Sequence, residues 1–276
     1  MKDGVWIVDA FTPVAFRGNA AAVCMYDAFP ATSELQLIAA QMNLSETAFI
    51  VPSDKPLHYK LRWFTPEIEV KLCGHATLAA THVLYQSGLI KKNELVTYDT
   101  LSGLLTARVL DKGIEMDFPA LPGKPAKAPA VLKALGVDFT NCQINSENYL
   151  VEVKDYATLI ACAPNFKKLA KLEGVYGVIV TTATGVEEFD FASRYFAPGI
   201  GVNEDPATGS AHCFLAPYWA EKLGMTSFHA LQASKGRGII DVTLKGDRAL
   251  LTGQAITTLK GHFSQPKNKK RLKETA

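Results

Sequence analysis

The chain has 276 residues, 48% of them apolar, enough for one large core or two ordinary ones, which excludes disorder as a description of its body. Lys and Arg number 29 and Asp and Glu 27, for a formal charge of +2, but the run from Lys267 to Lys273 holds five of the basic groups. Without residues 267–276 the body stands at about −2, so no basic face argues for nucleic acid.

The opening MKDGVWIVDAF has a short apolar run broken by Asp9, which fits neither a signal peptide nor a membrane span and leads us to expect a cytoplasmic protein. Its VWIVDAF portion reads as a strand, and AAAVCMY reads as a second after the loop TPVAFRGN. Thr32 to Met42 has Leu35, Ile38 and Ala39 at helical spacing, with Thr32 or Ser33 as N-cap. Extended structure returns in NLSETAFIVP, so Glu46 falls where a helix has ended and a strand begins. HYKLRWF is a further strand, closed by Pro66. Gly74 to Gly88 reads as an apolar helix ended by a glycine. LVTYDT, GLLTARVL and GIEMDFP follow as short segments.

The Pro- and Lys-rich stretch from Pro119 to Val131 breaks the pattern and marks the expected boundary between a lobe of residues 1–119 and a lobe of 120–276. The final strand is expected to return to the first lobe. Beyond the boundary, YLVEVKD, YGVIVTTA and FDFASRYF read as strands, with a helix between residues 155 and 171. Gly209 to Gly224 is a second apolar helix, which Pro217 is expected to kink. SFHALQAS, GIIDVTL and TGQAITTLKGHF finish as strands, and PKNKKRLKETA reads as a solvated terminus. Five cysteines without regular spacing fit a reducing compartment.

An internal repeat organises the chain. Arg62, Phe64, Pro66, Ile68 and Val70 recur as Arg194, Phe196, Pro198, Ile200 and Val202, at a constant offset of 132. Each copy runs into a glycine-led apolar helix, the second after three extra residues. Two similar lobes facing each other would bring the equivalent turns to one cleft. Cys73 and His75 come from one turn, Glu204 and Asp205 from the other, and the ungapped repeat sets Asp205 opposite Cys73.

Helix starts at Gly74 and Gly209 expose unpaired N–H groups suited to a carboxylate, and Thr208 and Ser210 add hydroxyls beside them. A small carboxylated metabolite is therefore the expected ligand. Glu46, flanked by Leu44, Thr47, Ala48 and Phe49, has the apolar surroundings that raise a carboxyl pKa; a strand-end salt bridge is the plainer reading. His75 at a helix start is expected to stay neutral, with a satisfied buried histidine as its alternative. Cys73 is a candidate thiol base, whereas Cys24, Cys142, Cys162 and Cys213 read as packing residues. No phosphate loop, dinucleotide fingerprint or nucleophile elbow is present. His75 and His82 have no third partner at metal spacing, so neither metal nor cofactor is expected.

With these residues in view, the chain resembles the phenazine-biosynthesis-like protein family, through VDAFTPVAFRGNAAAVC, NLSETAFI, RWFTPEIEVKLCGHATLA, DTLSG, SRYFAPGIGVNEDPATGSAH and ASKGRG. The resemblance implies an α+β fold like that of diaminopimelate epimerase: two pseudo-symmetric lobes, each a barrel-like β-sheet around a central α-helix. It also implies a homodimer, with Glu46 as general acid/base, His75 as the family's histidine and Asp205 as its acidic partner. The best-known member isomerises a dihydro-hydroxyanthranilate by a cofactor-free proton shift. Cys73, Gly74, Thr208, Gly209 and Ser210 then fall in the substrate-binding segments. Related epimerases and proline racemases use two thiols; Cys73 resembles the first, while PATGS stands where the second would be. An isomerase of the proton-shift kind is the leading expectation. An epimerase or racemase pairing Cys73 with a carboxylate, and a non-catalytic binding protein on an enzyme fold, are the alternatives.

Overall fold

A computed structural model describes residues 4–183 and 188–264; the basic tail singled out above lies outside them. The first half runs β1 (Gly4–Ala10), β2 (Asn19–Met25), α1 (Thr32–Met42), β3 (Glu46–Pro52), β4 (His58–Phe64), β5 (Glu69–Val70), α2 (Gly74–Gln86), β6 (Val96–Thr100), β7 (Gly103–Leu110) and β8 (Gly113–Pro119). The second runs β9 (Lys124–Pro125), α3 (Pro129–Leu135), β10 (Asn141–Ile144), β11 (Asn148–Glu152), α4 (Tyr156–Ala161), α5 (Phe166–Leu169), β12 (Gly177–Thr182), β13 (Phe191–Ala197), a 3-10 turn (Pro198–Ile200), β14 (Val202–Asp205), α6 (Gly209–Leu223), β15 (Ser227–Gln232), β16 (Gly238–Lys245), β17 (Arg248–Gly253) and β18 (Ala255–Gly261).

Strand pairing is written twice. β2 runs parallel to β3, β3 antiparallel to β4, β4 antiparallel to β5 and parallel to β6, and β6, β7 and β8 follow as an antiparallel meander. The same sequence of pairings recurs in β11, β12, β13, β14, β15, β16 and β17. β8 pairs with β17, which fuses the halves into one hydrogen-bonded sheet. β9, which follows the first lobe, pairs with β10 of the second, and β18, which follows the second, pairs with β1 of the first. The α+β expectation of two pseudo-symmetric lobes is the architecture observed.

Each lobe closes around one helix that is apolar on nearly every face, as a core helix must be. α2 buries Leu78, Ala79, Ala80, Val83 and Leu84, and α6 buries Phe214, Leu215, Ala216 and Trp219; all nine belong to one continuous core shared by the lobes. Pro217 removes the N–H that would bond the Cys213 carbonyl, and the Leu121 N–H from the interlobe segment takes that carbonyl at 2.8 Å. The helix therefore runs unbroken through its proline.

Several expectations need correction. The N-cap of α1 is Ala31, without a side-chain bond; the Thr32 hydroxyl instead accepts from Arg62 Nη2 at 3.2 Å. Residues 155–171 form two short helices, capped by Asp155 and Asn165, because Pro164 interrupts them. The stretch from Pro119 to Val131 carries β9 and the start of α3, and the closing run divides at Gln254 into β17 and β18. The three extra residues of the second repeat lie before Asp205 and not after it, two in the turn ahead of β14 and one at an irregularity in the pairing of β13 with β14. Trp63 pairs with Val70 while Tyr195, its counterpart, pairs with Asp205, so equivalences beyond the insertion are offset by 135. Thr208, the N-cap of α6, thus stands opposite Cys73, the N-cap of α2, and Asp205 corresponds to Val70.

The repeated arginine and phenylalanine have a structural purpose. Arg62 grips Glu69 through Nε and Nη2, both at 2.7 Å, and Arg194 grips Glu204 at 2.8 and 2.9 Å. The guanidinium groups lie over Phe64 and Phe196, 5.1 and 4.8 Å from the ring centres. Each clamp holds the short return strand that leads to a helix start. Glu204 is therefore committed to Arg194 and leaves Asp205 as the acidic group of its turn.

Candidate active site

The two helix starts touch. A β-carbon placed on Gly74 would lie 3.3 Å from the Gly209 α-carbon, and one on Gly209 would lie 3.4 Å from the Gly74 α-carbon. Glycine at both positions lets the two backbones approach this closely, and a side chain at either would press on the facing backbone. The first-turn amides of α2 and α6, which have no carbonyl four residues back, are thereby gathered at one point of positive potential.

Glu46 approaches this point from the start of β3, where parallel pairing sets it beside Ala21 of β2. Its Oε2 lies 3.2 Å from Nε2 of His75, and 18% of its side chain remains accessible. The approach falls outside hydrogen-bond geometry, so Nε2, in an imidazole only 3% exposed, has no hydrogen-bond partner among the described residues. Nδ1 of the same ring lies 3.3 Å from Asn19 Nδ2 and 3.5 Å from Cys73 Sγ. Asp205 completes the group from the end of β14. Its Oδ1 accepts from Asn19 Nδ2 at 2.8 Å, and its Oδ2 accepts from the Thr208 hydroxyl.

Burial sets the protonation of every member. Removal from water, reinforced by the charge of Asp205 and opposed by a hydrogen bond with Cys73, pushes the Glu46 carboxyl up to about 8. Burial likewise lifts Asp205 to about 6, against the hydrogen bonds from Thr208 and Asn19 that favour its ionised form. His75 is lowered to about 3 by burial and is neutral at any physiological pH. The Cys73 thiol is held well above its ordinary range, by burial first and then by Glu46. A neutral imidazole, a protonated thiol, an ionised Asp205 and a Glu46 that gains and loses its proton near neutrality therefore share one cleft.

All the residues singled out from the sequence lie at this junction, in different situations. Gly74 and Gly209 form the contact, and Ser210 follows on α6, partly accessible. Thr208 is occupied: its N–H donates to Gln232 Oε1 at 2.7 Å, and its hydroxyl, besides serving Asp205, accepts from Gln232 Nε2 at 3.0 Å. Gln232 also donates to the Asp205 carbonyl at 2.7 Å. Asn19 and Gln232 were not singled out. GNAAAVC showed Asn19 only as a loop residue, and nothing near Gln232 marks it as the support of a turn more than 20 residues earlier.

Donor atoms of Glu46, Cys73 and His75 lie within 4.8 Å of one another and are the set that would meet a metal ion here. The protonated thiol and the positive helix ends favour an anion over a cation. A cavity of about 200 Å³ opens elsewhere, lined by Phe11, Lys112, His229, Asp241 and Gln254 among others, and includes none of Glu46, His75 or Asp205. No described helix is long and apolar enough to cross a membrane.

Comparison with known proteins gives the chain a family. The family model described as phenazine biosynthesis-like protein matches residues 8–261. An uncharacterized isomerase of Halalkalibacterium halodurans is 44% identical over 265 residues, covering 95% of this chain and 99% of that protein. A second uncharacterized isomerase, from Pseudomonas aeruginosa, is 44% identical over 262 residues, with 95% and 98% covered. The crystal structure of a phenazine biosynthesis protein of the PhzF family from Enterococcus faecalis superposes with a TM-score of 0.90 at 36% identity, covering 96% of this chain and all of that one. The chain belongs to the phenazine biosynthesis-like protein family.

Proposed function

We propose that the protein is a cofactor-independent isomerase that shifts a proton within a small carboxylated metabolite, with Glu46 as the group that carries it. The observation behind this reading is the Glu46 carboxyl itself, poised near 8 by burial and 3.2 Å from an imidazole nitrogen that lacks a hydrogen-bond partner. A carboxyl so tuned is a far stronger base than an exposed one, and at neutral pH it also returns the proton readily. First-turn amides around Gly74, Gly209 and Ser210 hold the substrate carboxylate. Neutral His75 offers Nε2–H to negative charge that develops as the proton leaves, and Asp205 orients a polar substituent. In this scheme Cys73 is a wall of the site.

The uncharacterized isomerases related to this chain support the reaction class and name no substrate. The test is incubation with pooled small carboxylic metabolites in deuterated water, followed by mass spectrometry. Enzyme-dependent deuterium incorporation that disappears in Glu46→Gln is expected. Incorporation that persists in Glu46→Gln removes Glu46 from its role.

A further inference from the structure

Asn19 opens β2 and is 1% exposed. Its amide nitrogen donates to Asp205 Oδ1 at 2.8 Å and to the Ala207 carbonyl at 3.0 Å, and lies 3.3 Å from His75 Nδ1. Its carbonyl oxygen accepts from the Ser45 hydroxyl at 3.2 Å, one residue before Glu46. Reversing the amide would set its oxygen against a carboxylate and a carbonyl, so the surroundings allow only this orientation. One side chain of the first lobe thus touches the acidic turn of the second, the imidazole of its own lobe and the strand end that carries Glu46.

We infer that Asn19 is a positioning residue for the proton shift proposed above: it keeps the Asp205 carboxylate unprotonated and keeps the single hydrogen of His75 on Nε2, towards Glu46. The inference rests on that reading of the site. A hydrogen on Nδ1 would point at the hydrogens of the Asn19 amide, whereas a lone pair there accepts from them. Nε2 then carries the hydrogen, 3.2 Å from Glu46 Oε2, on the side of the ring where a substrate would meet it. Other titratable groups around Asp205 and the imidazole are Glu46 on β3, Cys73 before α2 and Tyr195 on β13.

The test uses NMR of the full chain without added ligand, labelled with 15N-histidine and 13C-aspartate. His75 is assigned by its loss in His75→Gln and Asp205 by its loss in Asp205→Asn. In Asn19→Ala, or in Asn19→Ser where the alanine variant does not fold, the Asp205 midpoint rises by about one unit as its donor is lost. In Asn19→Asp, which keeps the shape, an ionised carboxylate in alkaline buffer accepts from the imidazole and draws the hydrogen of His75 from Nε2 to Nδ1. A packing role alone would lower the melting temperature and leave both signals in place. An unchanged Asp205 midpoint in a folded variant, or a hydrogen that stays on Nε2 in Asn19→Asp, overturns the inference. Deuterium exchange at Glu46 reads a separate event, so either proposal can fail while the other stands.

Discussion

The two lobes repeat one strand order, yet the positions that face the cleft differ in chemistry. Thr47 pairs with Phe64 and Val178 with Phe196, which makes Gly177 the second-lobe counterpart of Glu46. A β-carbon on Gly177 would lie 2.6 Å from the Phe196 carbonyl oxygen and 2.9 Å from the Tyr195 ring, so that lobe has no room for a second carboxylate there. Opposite Cys73 stands Thr208, whose hydroxyl serves Asp205. The scaffold is two-fold and the cleft is one-sided: a buried carboxyl raised to about 8 comes from the first lobe, and a carboxylate held by Thr208 and Asn19 comes from the second. In the proposed function, that difference serves one base that removes a proton and returns it to another carbon.

The sharpest way to break this comparison is Glu46→Gln, which keeps the shape and removes the exchangeable proton. A loss of about 10²- to 10⁴-fold in proton exchange is expected, measured by deuterium incorporation. Exchange in the wild type should rise with pH through about 8, because Glu46 accepts a proton only when ionised. A flat profile across that region would deny it the role of base. Linkage gives the sign for stability. Glu46 has a folded pKa above its unfolded value of 4.5, so its contribution is present in acid and is lost as pH rises through about 8. The melting temperature of Glu46→Gln should therefore overtake that of the wild type on the alkaline side.

Gly209→Ala tests whether the lobes must touch, since the added methyl meets the Gly74 backbone. A shift of the helix starts is expected to lower turnover, by at most about 10²-fold if it approaches 1 Å, while a thermal melt stays cooperative; unchanged turnover would mean that the contact is not required. The two arginine clamps allow a direct comparison of the lobes by urea denaturation. Arg62→Ala should cost about 2 kcal/mol, whereas Arg194→Ala should cost more, because Nη1 of Arg194 also donates to the carbonyls of Leu159, Ile160 and Cys162. Equal losses would mean that these bonds contribute no more than the contacts of Arg62 with Thr32 and Phe29. The smallest effect is expected from Cys73→Ser, where exchange is retained because burial keeps the thiol protonated; abolished exchange would restore a thiol mechanism.

Much of this arrangement was legible in the sequence because the repeat is local and loud. Arg-x-Phe-x-Pro followed by a glycine-led apolar helix marks the strand, the turn and the core helix, and the position of Glu46 at a strand start is visible in NLSETAF. What stayed hidden depends on partners far along the chain. Asn19 meets His75 56 residues later and Asp205 186 residues later, and no periodicity signals such convergence. The true register of the repeat was hidden as well: the insertion between Ala197 and Asp205 could be placed only from strand pairing, which moved the counterpart of Cys73 from Asp205 to Thr208. The division between α4 and α5 had a visible cause in Pro164 and Asn165, outweighed by the apolar spacing around them.

The central claim is that closure of two lobes buries one carboxyl and tunes it for proton exchange. The most direct measurement is a 13C NMR titration of the Glu46 carboxyl in the full-length protein, assigned by its loss in Glu46→Gln. The account predicts a midpoint near 8. A midpoint at the ordinary glutamate value near 4.5 would contradict it.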